Sequence, residues 1–302
     1  MVNTEKIDGS ISETDKFEQK LDFIPLTNDL LFHMVFTKNP AALRNLLSCL
    51  LNIPESEILD IEILNPMQYN EQFDMNLTIL DLKLHLNNKQ YVLVEMQVRK
   101  FNYWPERTLI YACRQIADQD KGESFDYGKI QPVVQIAIMD HTLFPKHKRF
   151  FTCYELKDEE GFLYSDKLRF LVMDLTAISE ASDKEKEQGL VDWAEAFKAN
   201  DWETVEQSEN RGVREAMETM KLIMANPGER QLLEYRRKAE VDRRSMIASA
   251  RQEGEIIGEK LGENRMGILI NTLVSQGRID DLQKASNDPE YRNQLFQEFR
   301  IE

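Results

Sequence analysis

Three side chains in the stretch Ile79–Val98, ILDLKLHLNNKQYVLVEMQV, have types and spacing suited to chemistry on phosphates: Asp81, Glu95 and Gln97. Two apolar-alternating runs flank Asn87-Asn88-Lys89, which predicts a β-hairpin. Leu80, Leu82, Leu84 and Leu86 fill one face of the first arm, and Val92, Val94, Met96 and Val98 one face of the second. Side chains alternate across a strand, so both sets must point the same way and the parity of the pairing is fixed. A three-residue loop with Leu86 opposite Gln90 satisfies this, and it sets Asp81 across from Glu95. Lys83, His85 and Leu93 share their face, with Gln97 one step along. Opposed carboxylates repel with Cβ atoms about 5 Å apart. A hard divalent cation, which takes carboxylate oxygens and substrate phosphates, would turn that repulsion into a metal site held by Asp81 and Glu95. The plainer reading is an exposed sheet edge with solvated charges.

The elements around the hairpin must position these groups. Residues 1–22 carry few apolar side chains and read as a flexible leader. Thr27 or Asn28 would cap a helix carrying Asp29 in its first turn and Leu30, Leu31, Met34 and Val35 on its apolar stripe. Pro40 starts a second helix with Leu43, Leu46, Leu47, Leu50 and Leu51 inside. Ile58, Ile61 and Ile63 mark a first strand. Pro105 suits the first turn of a crossover helix, with Leu109, Ile110, Cys113, Ile116 and Ala117 as its expected apolar face. Arg107, Tyr111 and Arg114 would share another face near the end of the hairpin. Arg107 there either contacts phosphate or orients Glu95; for Arg114 a solvated helix face is the simpler reading, and nothing fixes Gln115. Val133–Met139 is a continuous apolar run, as in a buried strand. The order α-β-β-β-α-β implies a right-handed crossover and a mixed sheet.

This pattern resembles the PD-(D/E)XK nuclease family transposases, also called recombination-promoting nucleases. The resemblance rests on Asp29-Leu30-Leu31-Phe32, Asp81, Glu95-Met96-Gln97 and Tyr127–Val134, and it extends loosely to a glycine-spaced tail. It implies a restriction-endonuclease-like α/β core and metal-dependent cleavage of DNA, with Mg²⁺ as cofactor and Mn²⁺ as a substitute. Asp81 and Glu95 would be the catalytic metal ligands, Asp29 an additional acidic residue near the metal, and Gln97 would orient the attacking water. Glu-x-Gln stands where the superfamily usually has Glu-x-Lys, and Gln97 carries no charge. Lys83, on the Asp81 face, is placed to supply a cation toward substrate, as is Arg107. A helix-mediated interaction module with a vestigial site is the competing expectation.

Composition bounds the rest. The 302 residues are 42% hydrophobic, enough for a large core, and no apolar run approaches the ~20 residues that span a membrane. The net charge of −15 excludes a general nucleic-acid-coating role, which needs basic surface to displace counterions. Cys49, Cys113 and Cys153 have neither metal-ligand nor disulfide spacing, so a cytoplasmic setting is expected. Beyond the leader, residues 23–178 are expected to form the nuclease-like domain. Residues 179–302 are expected to form an all-α region. Within it Gly254, Gly258 and Gly262 lie on one helix face, where a second copy of the chain could approach.

Overall fold

A computed structural model of the chain describes residues 23–64, 82–120 and 126–301. It divides into two compact units, one up to Leu233 and one from Glu234 onward.

Among the described residues the first unit has six strands: β1 (Ile61–Leu64), β2 (Leu82–Leu86), β3 (Gln90–Gln97), β4 (Val133–Met139), β5 (Phe151–Lys157) and β6 (Leu163–Asp174). They lie in the order β1-β2-β3-β4-β6-β5. The β3–β4 and β4–β6 pairs are parallel and the rest antiparallel, so the sheet is mixed. The crossover between β3 and β4 carries helix α3 (Trp104–Ala117). The α-β-β-β-α-β order expected from the sequence is present, and β5 and β6 extend it, turning at Gly161 with φ +86°.

The hairpin has the register that the side-chain parity demanded, with Leu86 opposite Gln90 and Leu82 opposite Val94. Asn87 and Asn88 both take left-handed backbone conformations, φ +53° and +58°, which Asn tolerates better than most side chains. The turn closes where the Lys89 N–H donates to the Leu86 carbonyl at 2.9 Å. Asn87 then ties the tip to the chain entering β1. Its Oδ1 accepts from the N–H groups of Leu59 (2.8 Å) and Asp60 (3.0 Å), and its Nδ2 donates to the Glu57 carbonyl at 2.6 Å.

The two faces of the sheet differ in chemistry. Val92, Val94 and Met96 join Val134, Ile136, Ile138, Leu171 and Met173 on the face that builds the main core. Helices α1 (Asp29–Lys38), α2 (Pro40–Leu51), α5 (Leu190–Lys198) and α7 (Arg211–Ala225) pack into that core. Asn28 caps α1, accepting from Leu31 N–H at 2.9 Å. Asn39 caps α2 and donates across to Thr219 Oγ1 of α7 at 2.9 Å. Trp193 and Phe197 of α5 lie fully buried among Phe32, Phe36 and their neighbours. The first unit therefore runs past residue 178. The short helices α4 (Asp183–Glu187) and α6 (Trp202–Glu206), together with α5 and α7, belong to the same compact unit as the sheet.

The opposite face lies under α3. Leu93, Ala112, Val133 and Leu168 form one small cluster there, and Trp104, Ala137 and Met139 another. The buried side of α3 is Trp104, Thr108, Ala112 and Gln115. This corrects the sequence expectation: Leu109, Ile110 and Cys113 are exposed, and Ile116 is half-buried. The reason is the sheet beneath, which offers polar as well as apolar groups. A small and polar helix face meets it, and the bulkier apolar stripe is left outside.

The second unit is helical. Helix α8 (Pro227–Ser275) begins in the first unit and continues into the second, followed by α9 (Ile279–Asn287) and α10 (Pro289–Glu298). Leu269, Leu273, Ala285, Leu295, Phe296 and Ile301 form its core. Gly254, Gly258 and Gly262 lie on exposed helix, where an added Cβ would meet open space. Among the described residues no helix is long and apolar enough to cross a membrane.

Candidate active site

Glu95 is the chemically unusual group of this sheet. Alternation along β3 turns it onto the face under α3, level with Ala137 of β4. It is 3% exposed, and neither carboxylate oxygen has a hydrogen-bond partner among the described residues. Burial in a poorly solvating environment favours the neutral form and pushes its pKa up to about 7. The positive charge of Arg107 acts in the opposite direction.

Arg107 comes from the first turn of α3. Its guanidinium carbon lies 5.3 Å from the ring centre of Trp104 and 5.4 Å from those of Phe101 and Tyr111. Such ring faces attract a cation. Its Nε and Nη2 are buried without hydrogen-bond partners among the described residues. The helix thus presents to the Glu95 face a cation that is held by π-electrons and retains donor capacity. Arg114, expected on the same side, is exposed.

Gln97 ends β3 opposite Met139. Its Nε2 donates to the Arg99 carbonyl at 2.6 Å. With the amide nitrogen so engaged, the side-chain oxygen remains as an acceptor. Lys83 is half-buried in β2, between Leu64 of β1 and Leu93 of β3. His85 is a sheet residue, as the sequence suggested: it stacks on Tyr91 at 4.5 Å and pairs with Gln131 Oε1 at 2.6 Å. Asp29 opens α1, and its Oδ1 accepts from the Leu30 N–H at 2.8 Å. The described contacts do not join it to Glu95. Asp81 lies outside the described residues. The register on which its opposition to Glu95 was argued holds up to Leu82 opposite Val94.

Two further polar groups lie in or just after β4. Gln135 of β4 pairs with Leu93 and is 1% exposed, with both amide atoms lacking partners among the described residues. It was visible in the sequence as the one polar residue within the run Val133–Met139. His141, just past β4, is likewise without partners for its ring nitrogens among the described residues. Burial lowers its pKa, against the pull of Asp174.

Comparison with family models decides the family. A family model described as PD-(D/E)XK nuclease family transposase matches residues 26–250. The chain belongs to this family. No curated protein and no solved structure matches it. Asp29, Asp81, Lys83, Glu95, Gln97 and Arg107 all fall inside the matched span. The match ties the chain to nuclease-fold proteins linked to mobile elements, and nucleases of the PD-(D/E)XK class generally use divalent metals.

The donor set can be tested against such an ion. A buried carboxylate with two unpartnered oxygens is the hard, anionic donor that Mg²⁺ takes. Among the described residues no cluster of three acidic, His or Cys side chains surrounds it. Glu95 fits the group and needs a second donor.

Proposed function

We propose that the chain is a divalent-metal-dependent DNA endonuclease that hydrolyses phosphodiester bonds in a setting of recombination or mobile elements. The observation that carries this reading is Glu95. A bare carboxylate held in a buried sheet face is unfavourable unless something cationic joins it. Glu95 stands in the Glu-x-Gln segment that the family resemblance marks as catalytic.

Glu95 and Asp81 would hold Mg²⁺, with Mn²⁺ as a substitute. When bound, the ion lowers the pKa of a water and offsets charge building on the phosphate. The chain's own residues do the rest. Gln97 offers its side-chain oxygen to orient the attacking water, while its amide nitrogen is anchored on the Arg99 carbonyl. Arg107 directs positive charge toward Glu95 and toward phosphate, with Lys83 as a second cation. Asp29 is assigned to the outer acidic shell. We assign the chain to the cytoplasm, and to homo-oligomers formed through the exposed helix that carries Gly254, Gly258 and Gly262.

Plasmid nicking tests the assignment. Wild type with Mg²⁺ is expected to nick, while Asp81→Ala and Glu95→Gln are not. Equal activity in all three would overturn it. The acidic net charge and the uncharged Gln97 favour a second reading, an inactive nuclease fold used for protein interaction. Calorimetry that detects no Mg²⁺ or Mn²⁺ uptake would favour that one.

A further inference from the structure

With a net charge of −15, this chain can hold a polyanion only where its cations gather and its carboxylates stay away. Two stretches meet that condition. Residues 98–105 carry Arg99 and Lys100, and residues 141–149 carry Lys146, Lys148 and Arg149, with His147 among them. Neither stretch contains an Asp or a Glu.

Strand register brings both to one edge of the sheet. β3, β4 and β6 run parallel, with Gln97, Met139 and Asp174 level with one another. The row continues to Phe150, whose carbonyl accepts the Asp174 N–H at 2.8 Å, one residue before β5 opens opposite Met173. The loop from β4 to β5 therefore leaves and re-enters the sheet at the edge where β3 ends. The Asp140 N–H donates to the Gln97 carbonyl at 2.9 Å and fastens the exits of β3 and β4 together. Lys100 lies near enough to His141 for its charge to act on the imidazole. Glu95 stands two residues inside this edge.

The cations there are available. Lys100, Lys146, Lys148 and Arg149 are exposed, and among the described residues none of them forms an ion pair. The carboxylates at the ends of β4 and β6 are already engaged. Asp140 pairs with Lys198 at 2.9 Å, and the buried Asp174 accepts from the Thr176 N–H (2.8 Å) and Oγ1 (2.6 Å). A second basic stretch, residues 236–251 of α8, differs in this respect. There Arg243 and Arg244 both pair with Glu240, and Arg251 pairs with Glu255.

The dimensions suit a DNA strand. From Gln97 to Phe150 the row takes three interstrand steps of roughly 4.8 Å, about 14 Å in all. Each strand of B-DNA carries a phosphate every ~3.4 Å along the axis, so the edge spans about four nucleotides.

We propose that residues 99–100 and the loop 146–149 form a phosphate-binding track that holds the DNA strand beside the cleavage position at Glu95. The proposal deepens the nuclease assignment and rests on it for the place of the scissile phosphate. Contacts of this kind fix the register of the strand and carry no base information. These are binding residues and take no part in bond cleavage.

The test is fluorescence anisotropy of a short labelled DNA duplex titrated with the full-length protein. EDTA prevents cleavage, and salt is varied over about 50–200 mM. The triple variant Lys146→Ser, Lys148→Ser, Arg149→Ser removes about three phosphate contacts. Its affinity should fall about 100-fold near 0.1 M salt, and its plot of log affinity against log salt should flatten by roughly 2.7. The replaced side chains are exposed, so its melting temperature should match wild type within about 2 °C. The charge-conserving Lys146→Arg, Lys148→Arg, Arg149→Lys should keep the wild-type slope, and so should Arg237→Ser, Arg244→Ser, Arg251→Ser on α8. No binding by wild type at the lowest salt, a wild-type slope in the folded loop variant, or a larger loss in the α8 variant would overturn the proposal. Plasmid nicking with Mg²⁺ by the same preparations separates the two ideas. A slope that flattens as expected in a protein that never nicks sinks the nuclease assignment and leaves the track. Nicking with an unchanged slope does the reverse.

Discussion

Arg107 lies near enough to Glu95 for its positive charge to favour the ionised carboxylate, yet each buries side-chain atoms that have no hydrogen-bond partner among the described residues. The pair is incomplete by ordinary standards. A buried carboxylate and a guanidinium usually satisfy one another directly, often in a two-pronged contact. Here the arginine is held by three aromatic rings instead, and the carboxylate oxygens stay available.

Burial of Glu95 should make the stability of the protein depend on pH. Folded Glu95 keeps its proton up to about pH 7, whereas the unfolded side chain releases it near the ordinary carboxyl value of 4.5. The unfolded state then binds fewer protons between these limits, and the metal-free protein should lose stability as pH rises from 4.5 to 7. The loss is of order 3 kcal/mol at most, at ~1.4 kcal/mol per unit. Glu95→Gln should remove this component of the pH dependence and melt higher than wild type at pH 8. Differential scanning calorimetry of both proteins across the range checks it. Identical pH profiles would refute the assignment of this component to Glu95.

Arg107 should tune the same carboxyl group. Replacing it with Met keeps the aliphatic stem and removes the charge. Glu95 is then expected to titrate at higher pH, and cleavage to fall by roughly 10- to 100-fold with its pH optimum displaced upward. A pH–rate profile for nicking distinguishes this from a simple folding defect, which would lower the rate equally at every pH.

Asn87 is expected to matter more than an ordinary turn residue. Asn87→Ala deletes three hydrogen bonds to the chain before β1 and puts Ala at positive φ, a loss of roughly 2–4 kcal/mol in total. Asn87→Gly loses the same bonds and relieves the backbone, so it should be the milder variant by about 1 kcal/mol. Urea denaturation midpoints order the three proteins. Ala and Gly variants of equal stability would show that the backbone conformation is not strained.

Gly212 offers a sign reversal. Gly-to-Ala inside a helix ordinarily stabilises by up to about 1 kcal/mol. At Gly212 the new methyl would overlap the Asn45 side chain, which accepts from Trp193 Nε1 at 2.9 Å and donates to Glu55 Oε1 at 2.7 Å. Gly212→Ala should destabilise by about 1–3 kcal/mol. A higher melting temperature in this variant would contradict the packing described for α2 against α7.

The hairpin was readable in the sequence because strand alternation has a period of two and permits no compromise. Leu82, Leu84 and Leu86 had to face the same way as Val92, Val94 and Met96, and that alone set the register. The buried side of α3 was not readable by the same logic. Apolar periodicity selected Leu109, Ile110 and Cys113, but which side of a helix is buried depends on what lies beneath it. Beneath α3 the sheet presents Glu95 and Gln135, so Thr108, Ala112 and Gln115 turn inward. The extent of the first unit was hidden for a related reason. Trp193 and Phe197 stood out as anchors, but their target, the α1–α2 pair, lies some 150 residues earlier in the chain. Among the candidate site residues, spacing in the sequence singled out Glu95 and Arg107. Gln135 was visible as the one polar residue of an apolar run, but that its amide is buried without a partner among the described residues appears only in the fold.

That long-range closure has a consequence during synthesis. As the nascent chain leaves the ribosome, α1, α2 and all six strands emerge before the residues that cover their apolar side. Until Trp193, Phe197, Val213 and Met217 arrive, Phe36, Leu46 and their neighbours face water or a chaperone. A gene fragment that stops at residue 178 would encode every strand of the sheet and still yield an aggregating polypeptide.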